Sequence, residues 1–162
     1  MQRYQEGQTV IRRSPSPIPP RQQPEKPSVV LVDVDGTLAL TQERSYYDES
    51  TVSEDLPNAA IITLVQALYR DGHRIIVLSG RTEAARADTL TWLRQHLQVP
   101  LAGLHLRAVG DRRRDATVKH EIYRDHIMGR YEVLCVLEDR DQVVKLWRSL
   151  GLTCLQVAPG DF

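Results

Sequence analysis

The chain has 162 residues, 41% hydrophobic and 26% charged, the make-up of one ordinary globular domain. Lysine plus arginine and aspartate plus glutamate both number 21, so no global basic field exists and contact with a polyanion must come from a local cluster. No apolar run reaches the ~18 residues of a membrane span and no signal-peptide pattern opens the chain, so the expectation is a cytoplasmic protein with no membrane contact.

Six of the nine prolines fall in residues 15–27, which forbids a helix and favours an extended, solvated segment. Residues 1–27 are therefore expected to be a flexible Pro-rich tail, and 28–162 a single folded domain. Val29 to Val34 is a continuous apolar strand cut by Asp33 near its end. Helical spacing over 57–70 follows, with Pro57 at its start and Asp71-Gly72 at its stop. His73 to Leu78 is a second strand, Thr82 to Leu97 a helix, and Leu104 to Arg107 a weaker strand. Asp115 to Met128 is a helix ended by Gly129, Val133 to Leu137 a strand, Asp141 to Leu150 a helix, and Thr153 to Ala158 a last strand. Cys135 and Cys154 lie in apolar runs and read as small core hydrophobes, not a disulfide framework or zinc site. Trp92 and Trp147 read as core, and the histidines show no metal-ligand spacing. The alternation predicts an α/β fold: a doubly wound, mainly parallel, five-stranded Rossmann-like sheet with helices on both faces. Neither a Walker-type phosphate loop nor Gly-x-Gly-x-x-Gly occurs.

In such a sheet, function collects at the C-terminal strand ends. Three of these are polar: Asp33-Val34-Asp35-Gly36-Thr37-Leu38, Ser79-Gly80-Arg81 and Glu138-Asp139-Arg140. The carboxylates of Asp33, Asp35, Glu138 and Asp139 at one edge would repel unless a cation neutralises them, and oxygen-only ligands suit magnesium. A turn with aspartate capping is the bland reading of Asp33 and Asp35. Two aspartates cutting into a buried strand cost several kcal/mol unless compensated, which speaks against it. Asp115 and Lys119 stand four apart on a helix, where an exposed pair would be worth a few tenths of a kcal/mol. Arg44 and Arg81 could each fork onto a phosphate, although a loop arginine is more often solvated. Arg112-Arg113-Arg114 could track a nucleic-acid backbone or be a solvated basic loop. Tyr46 and Tyr47 could face a terminal base, with loop packing the simpler reading.

These residues carry a resemblance. Asp33-Val34-Asp35-Gly36-Thr37 resembles the first signature of the haloacid dehalogenase superfamily of phosphotransferases, and Ser79, Lys119 and Glu138-Asp139 fall in the order of its other three. Several stretches narrow it to the phosphatase domain of T-even bacteriophage polynucleotide kinase-phosphatases. They are Asp33 to Ala39 with Arg44 and Tyr47-Asp48, Ser79-Gly80-Arg81, Asp115 with Lys119, Asp139-Arg140-x-Gln142-Val143-Val144-x-x-Trp147-Arg148, and the ending Gln156-Val157-Ala158-x-Gly160-Asp161-Phe162. That family has two adjacent aspartates where this chain has Glu138-Asp139, and its kinase half has no counterpart within these 162 residues.

The resemblance implies removal of 3′-phosphates from DNA, RNA or nucleotide ends. Asp33 would attack phosphorus to form an aspartyl-phosphate, and Asp35 would protonate the leaving sugar oxygen and then deprotonate water. Mg2+ would be held by Asp33, the Asp35 carbonyl and Asp139, with Glu138 binding directly or through water. Ser79 and Lys119 would face the phosphoryl oxygens, Asp115 would hold Lys119, and Arg44 and Arg81 would bind substrate phosphate. Between Asp35 and the first helix the chain is too short for the large cap of many superfamily members, so a minimal cap is expected. A phosphatase for small nucleoside or sugar phosphates and a catalytically silent nucleic-acid-binding module are the alternatives. A separate kinase or ligase is a candidate partner, and the oligomeric state stays open.

Overall fold

The computed structural model describes residues 26–41, 45 and 48–161. The tail expected at 1–27 lies outside these residues except for Lys26 and Pro27, whose carbonyl accepts the Glu132 amide and so already belongs to the fold. The elements in chain order are β1 (Ser28–Val32), β2 (Ala39–Leu40), β3 (Leu56–Pro57), α1 (Ala59–Arg70), β4 (Arg74–Thr82), α2 (Arg86–His96), β5 (Leu101–Arg107), α3 (Asp115–Ile122), β6 (Glu132–Glu138), α4 (Asp141–Ser149) and β7 (Cys154–Gln156).

β5-β4-β1-β6-β7 form a five-stranded sheet in which every pairing is parallel. β1 sits at its centre and is apolar at every position after Ser28, as a strand covered on both faces must be. Its side chains alternate between two cores. Val30 and Val32 pack with Ile75, Val77, Ile62, Val65 and Trp92, from β4, α1 and α2. Val29 and Leu31 pack with Ile76, Leu78, Val143, Val144 and Trp147, from β4 and α4. Cys135 belongs to the first core and Cys154 to the second, both as free thiols. Burial pushes the Cys135 thiol up, and burial followed by the Glu138 charge pushes Cys154 up to about 11.

Several boundaries differ from the sequence expectation. The first helix begins at Ala59, because Pro57 is spent in β3, paired antiparallel with Ala39 of β2. A proline tolerates that edge position since it has no amide to donate. The second helix is preceded by a 3-10 turn at Glu83–Ala85, and the third widens into a π turn at Tyr123–Ile127. β4 runs on to Thr82 and β5 begins at Leu101, both longer than their apolar cores. Among the described residues no helix is long and apolar enough to cross a membrane.

Candidate active site

The C-terminal end of β1 turns sharply. The Asp33 amide donates to the Leu137 carbonyl at 3.0 Å, carrying the β1–β6 ladder one residue further and setting Asp33 beside Glu138 and Asp139. The Thr37 and Ala39 amides both return to the Val34 carbonyl, and Gly36 adopts φ +82°. A Cβ there would sit 2.1 Å from Asp139 Oδ2, so only glycine lets that carboxylate lie over the turn. Gly80 does the same for Asp115, whose Oδ1 would be 2.8 Å from an added Cβ.

Lys119 is the hub. Fully buried on α3, its Nζ lies 2.6 Å from Asp33 Oδ1, 2.8 Å from Glu138 Oε2 and 3.3 Å from Asp115 Oδ2. An ammonium has three donors, and all three are aimed at carboxylates. Burial pulls Lys119 down, but Asp115, Asp33 and Glu138 together hold it well above the usual lysine range. Asp115 ends below the usual carboxylate range: burial opposes this, and Lys119, Arg140 and Arg107 outweigh it. Asp33 is pushed well up by burial and the Glu138 charge, against Lys119. Glu138 is raised by burial, again against Lys119, and Asp139 is pushed up to about 6 by burial and then by Asp33. With Asp115 satisfied by its own arginines, three buried carboxylates share one cation. The site is short of positive charge.

That shortage has a matching geometry. Asp33, Glu138 and Asp139 each offer an oxygen, all within 4.8 Å of one another. An all-oxygen, buried, electron-rich set of this kind fits a hard divalent ion such as magnesium. Glu138 is also engaged elsewhere: its Oε1 accepts the Asp139 and Arg140 amides, each at 3.2 Å, while its Oε2 takes Lys119.

Ser79 is buried at the end of the β4 apolar run, and its Oγ accepts the Arg81 amide at 3.2 Å, leaving its hydroxyl proton to donate. Arg81 differs from the expectation of a phosphate fork. Its side chain is buried, Nε and Nη2 clasp Asp35, Nη2 reaches Asp55 Oδ2 at 2.7 Å, and Nη1 donates to Thr89 Oγ1 at 3.2 Å. Four of its five N–H donors are taken by the protein. Asp35 is thereby held from the β4 side, by Arg81. The expected roles of Arg44, Tyr46 and Tyr47 fall outside the described residues.

Sequence reading missed Asp55 and Arg107. Asp55 stands in a polar stretch with no apolar run to mark it as buried, yet it is 6% exposed and its carbonyl also takes the Trp92 indole N–H at 2.8 Å. Arg107 Nε donates to the Gly80 carbonyl and its Nη2 to Asp115 Oδ1, both at 3.1 Å, joining β4, β5 and α3 at the site. A cavity of about 590 Å³ opens here, lined by Asp33, Asp35, Asp115 and Asp139 and also by Arg112, Arg113 and Arg114.

Residues 27–162 match the family model for the phosphatase domain of the polynucleotide kinase PNKP. The chain belongs to this family. Over 128 residues it is 34% identical to a putative bifunctional polynucleotide kinase/RNA ligase of Autographa californica nuclear polyhedrosis virus, covering 78% of this chain and 18% of that protein. A chain of the Pnkp1/Rnl/Hen1 complex superposes with a TM-score of 0.82 at 38% identity, over 87% of this chain and 49% of that one. The D,D-heptose 1,7-bisphosphate phosphatase of B. bronchiseptica, 10% identical with a TM-score of 0.59 over 80% of this chain and 79% of its own, shares the fold. The polynucleotide kinase PNKP phosphatase domain thus makes up most of this chain, which spans half or less of the length of those first two relatives. It is a phosphatase domain of the haloacid dehalogenase type, as its motifs imply.

Proposed function

We propose that this domain is a magnesium-dependent phosphomonoesterase that removes 3′-phosphates from nucleic-acid ends by way of an aspartyl-phosphate on Asp33. The observation that carries the reading is the separation of the two strand-end aspartates into different environments. Asp33 lies against Lys119, in the buried acidic cluster, while Asp35 is clasped by Arg81. Lys119 opposes the burial that raises Asp33 and favours the ionised form a nucleophile needs, while Arg81 fixes the Asp35 carboxyl as the candidate acid and base.

Asp33 Oδ1 is tied to Lys119, which leaves its other oxygen for the phosphorus. Attack forms the Asp33 O–P bond and breaks the bond from phosphorus to the sugar oxygen; Asp35 supplies the proton that oxygen needs. Asp35 then takes a proton from the water that attacks the same phosphorus, which frees Asp33 and releases inorganic phosphate. The Ser79 hydroxyl and the Lys119 charge face the phosphoryl oxygens through both steps. Asp33, Asp139 and the Asp35 carbonyl would hold the magnesium ion, which supplies Lewis-acid neutralisation of the phosphoryl charge when bound. Glu138, occupied with Lys119 and two amides, acts by fixing Lys119 and the Asp139 turn.

Support for nucleic-acid ends comes from the family and from relatives named as polynucleotide kinase/RNA ligase and as part of an RNA repair complex. A kinase or ligase would then work beside this domain, on the same or another polypeptide. The test is phosphate release from a short oligonucleotide with a 3′-phosphate, with and without magnesium, beside a 5′-phosphate control. Magnesium-dependent release from the 3′ end alone is expected. Release from p-nitrophenyl phosphate but neither oligonucleotide would discard the substrate and keep the chemistry, and silence on all three would favour a binding module.

A further inference from the structure

The loop between β5 and α3 carries charge that the catalytic account leaves unused. Arg107 fastens it: besides its hydrogen bonds to Gly80 and Asp115, its Nη1 donates to the backbone carbonyls of Asp111 at 3.3 Å and Arg113 at 2.6 Å. The loop is therefore fixed to the same β4 end and α3 start that hold the acidic cluster. Within it the three consecutive arginines are not equivalent. Arg113 is clasped by Asp111 and Glu121, with Nη2 and Nη1 each 2.7 Å from its partner's oxygen, so its charge is neutralised and it acts as a brace. Asp111 is correspondingly held down, to about 2, by the Arg113 hydrogen bonds.

Arg112 and Arg114 flank that brace. Both are exposed, both line the cavity that holds Asp33 and Asp139, and neither guanidinium has a side-chain partner among the described residues. Two guanidinium groups with no side-chain partner among the described residues, in a chain of zero net charge, offer local positive charge to an anion beside the acidic pocket. A guanidinium offers a planar fork that fits phosphate oxygens two at a time, and it stays charged at every working pH. A lone phosphomonoester would be consumed at Asp33 and would leave nothing for this pair to bind. A polynucleotide end supplies further phosphates.

We infer that Arg112 and Arg114 form a second phosphate subsite, which takes the sugar–phosphate backbone upstream of the terminal 3′-phosphate. This rests on the 3′-phosphatase reading of the Asp33 site and adds to it a preference for polynucleotide ends over mononucleotides. The Arg107 and Arg113 hydrogen bonds pre-organise the subsite, so the gain from a longer substrate appears in KM.

The test compares nucleoside 3′-monophosphates with 3′-phosphorylated DNA and RNA oligonucleotides of two to ten nucleotides, for the native chain and for Arg112→Ala/Arg114→Ala. Native kcat/KM should rise with the first added nucleotides and then level off. In the double variant the ratio of oligonucleotide to mononucleotide kcat/KM should fall about tenfold or more, through KM. The salt dependence of log kcat/KM should become shallower by roughly 0.7 for each single-strand phosphate that the variant no longer neutralises. A gain on both DNA and RNA assigns the subsite to phosphate alone; a gain on only one keeps the subsite and adds recognition of the sugar. Equal native efficiency on mononucleotide and oligonucleotide, or equal losses on both in the variant, would overturn the subsite while leaving the 3′-phosphatase reading in place. No release from any 3′-phosphate would remove both.

Discussion

Arg81 Nη2 lies 2.7 Å from Asp35 Oδ1 and 2.7 Å from Asp55 Oδ2, so one buried guanidinium ties the proposed acid–base carboxylate to the residue that leads into β3. In the proposed mechanism this arrangement gives Arg81 the role of positioning Asp35. Its place directly after Ser79-Gly80 brings the hydroxyl and the positioning arginine from the same strand end.

Arg81→Lys should separate proton transfer from phosphoryl transfer. A lysine cannot clasp Asp35 and hold Asp55 and Thr89 in one plane. Turnover of 3′-phosphorylated ends, whose sugar oxygen needs a proton, should fall by about 10²- to 10⁴-fold. p-Nitrophenyl phosphate, with a leaving group that departs as an anion, should suffer much less. Asp55→Asn should give the same pattern, weaker. Equal losses on both substrates would contradict the positioning role.

The turn after β1 makes a geometric demand. Gly36→Ala should fold but displace Asp139, because the added methyl occupies the place of its Oδ2 and the backbone is left-handed there. The expected result is loss of activity that extra magnesium restores only in part. Native kinetics in this variant would show that Asp139 is not needed where it lies.

The pair Glu138 and Asp139 should divide its labours. Asp139→Asn should raise the magnesium concentration for half-maximal activity more than tenfold. Glu138→Gln, which can keep its hydrogen bonds to the Asp139 and Arg140 amides, should shift it much less and mainly lower kcat through Lys119. A larger magnesium effect at Glu138 would make it a direct ligand. Titrating activity with magnesium decides this.

The raised carboxylates give a pH dependence with a definite sign. Asp139 binds its proton more tightly folded, at about 6, than at its ordinary value of 3.8, so the folded state holds more protons between these values. Metal-free stability from this group is therefore greatest below pH 3.8 and declines as pH rises through about 6. Asp33 and Glu138 are raised as well and add to the same trend. Magnesium needs the deprotonated form, so its stabilising effect should be larger at about pH 7 than at about pH 5. Thermal melts with and without magnesium at both values provide the check; equal increments would count against the acidic cluster as the metal site.

Much of this was readable from residue order. The unbroken apolar run before Asp33 and those before Ser79 and Glu138, alternating with helical segments, read as strands buried on both faces, which places their polar ends together at one edge. Lys119 followed from the motif order, and burial then made its pairing with Asp33 obligatory. The β2–β3 ladder was not legible, because two residues per strand carry no period. Asp55 and the Arg81 clasp were hidden for a related reason: side-chain hydrogen bonds between distant polar loops leave no pattern in the sequence. Pro57 suited a helix start, but its pairing with Ala39 is long-range and took precedence.

The most direct test of the central claim is transfer of label to the protein. Oligonucleotides carrying radioactive phosphate at the 3′ or the 5′ end would be mixed with the chain and magnesium and quenched in acid, and the label on the protein counted; a separate portion would be reduced with borohydride, which expels the phosphate and leaves homoserine at position 33 to mark the modified residue. Label on the protein from the 3′ end alone, with the modification mapped to Asp33 and absent in Asp33→Asn, is the expected result. Phosphate released from the 3′ end with no label on Asp33 would contradict the covalent account, and label from the 5′ end would contradict the substrate.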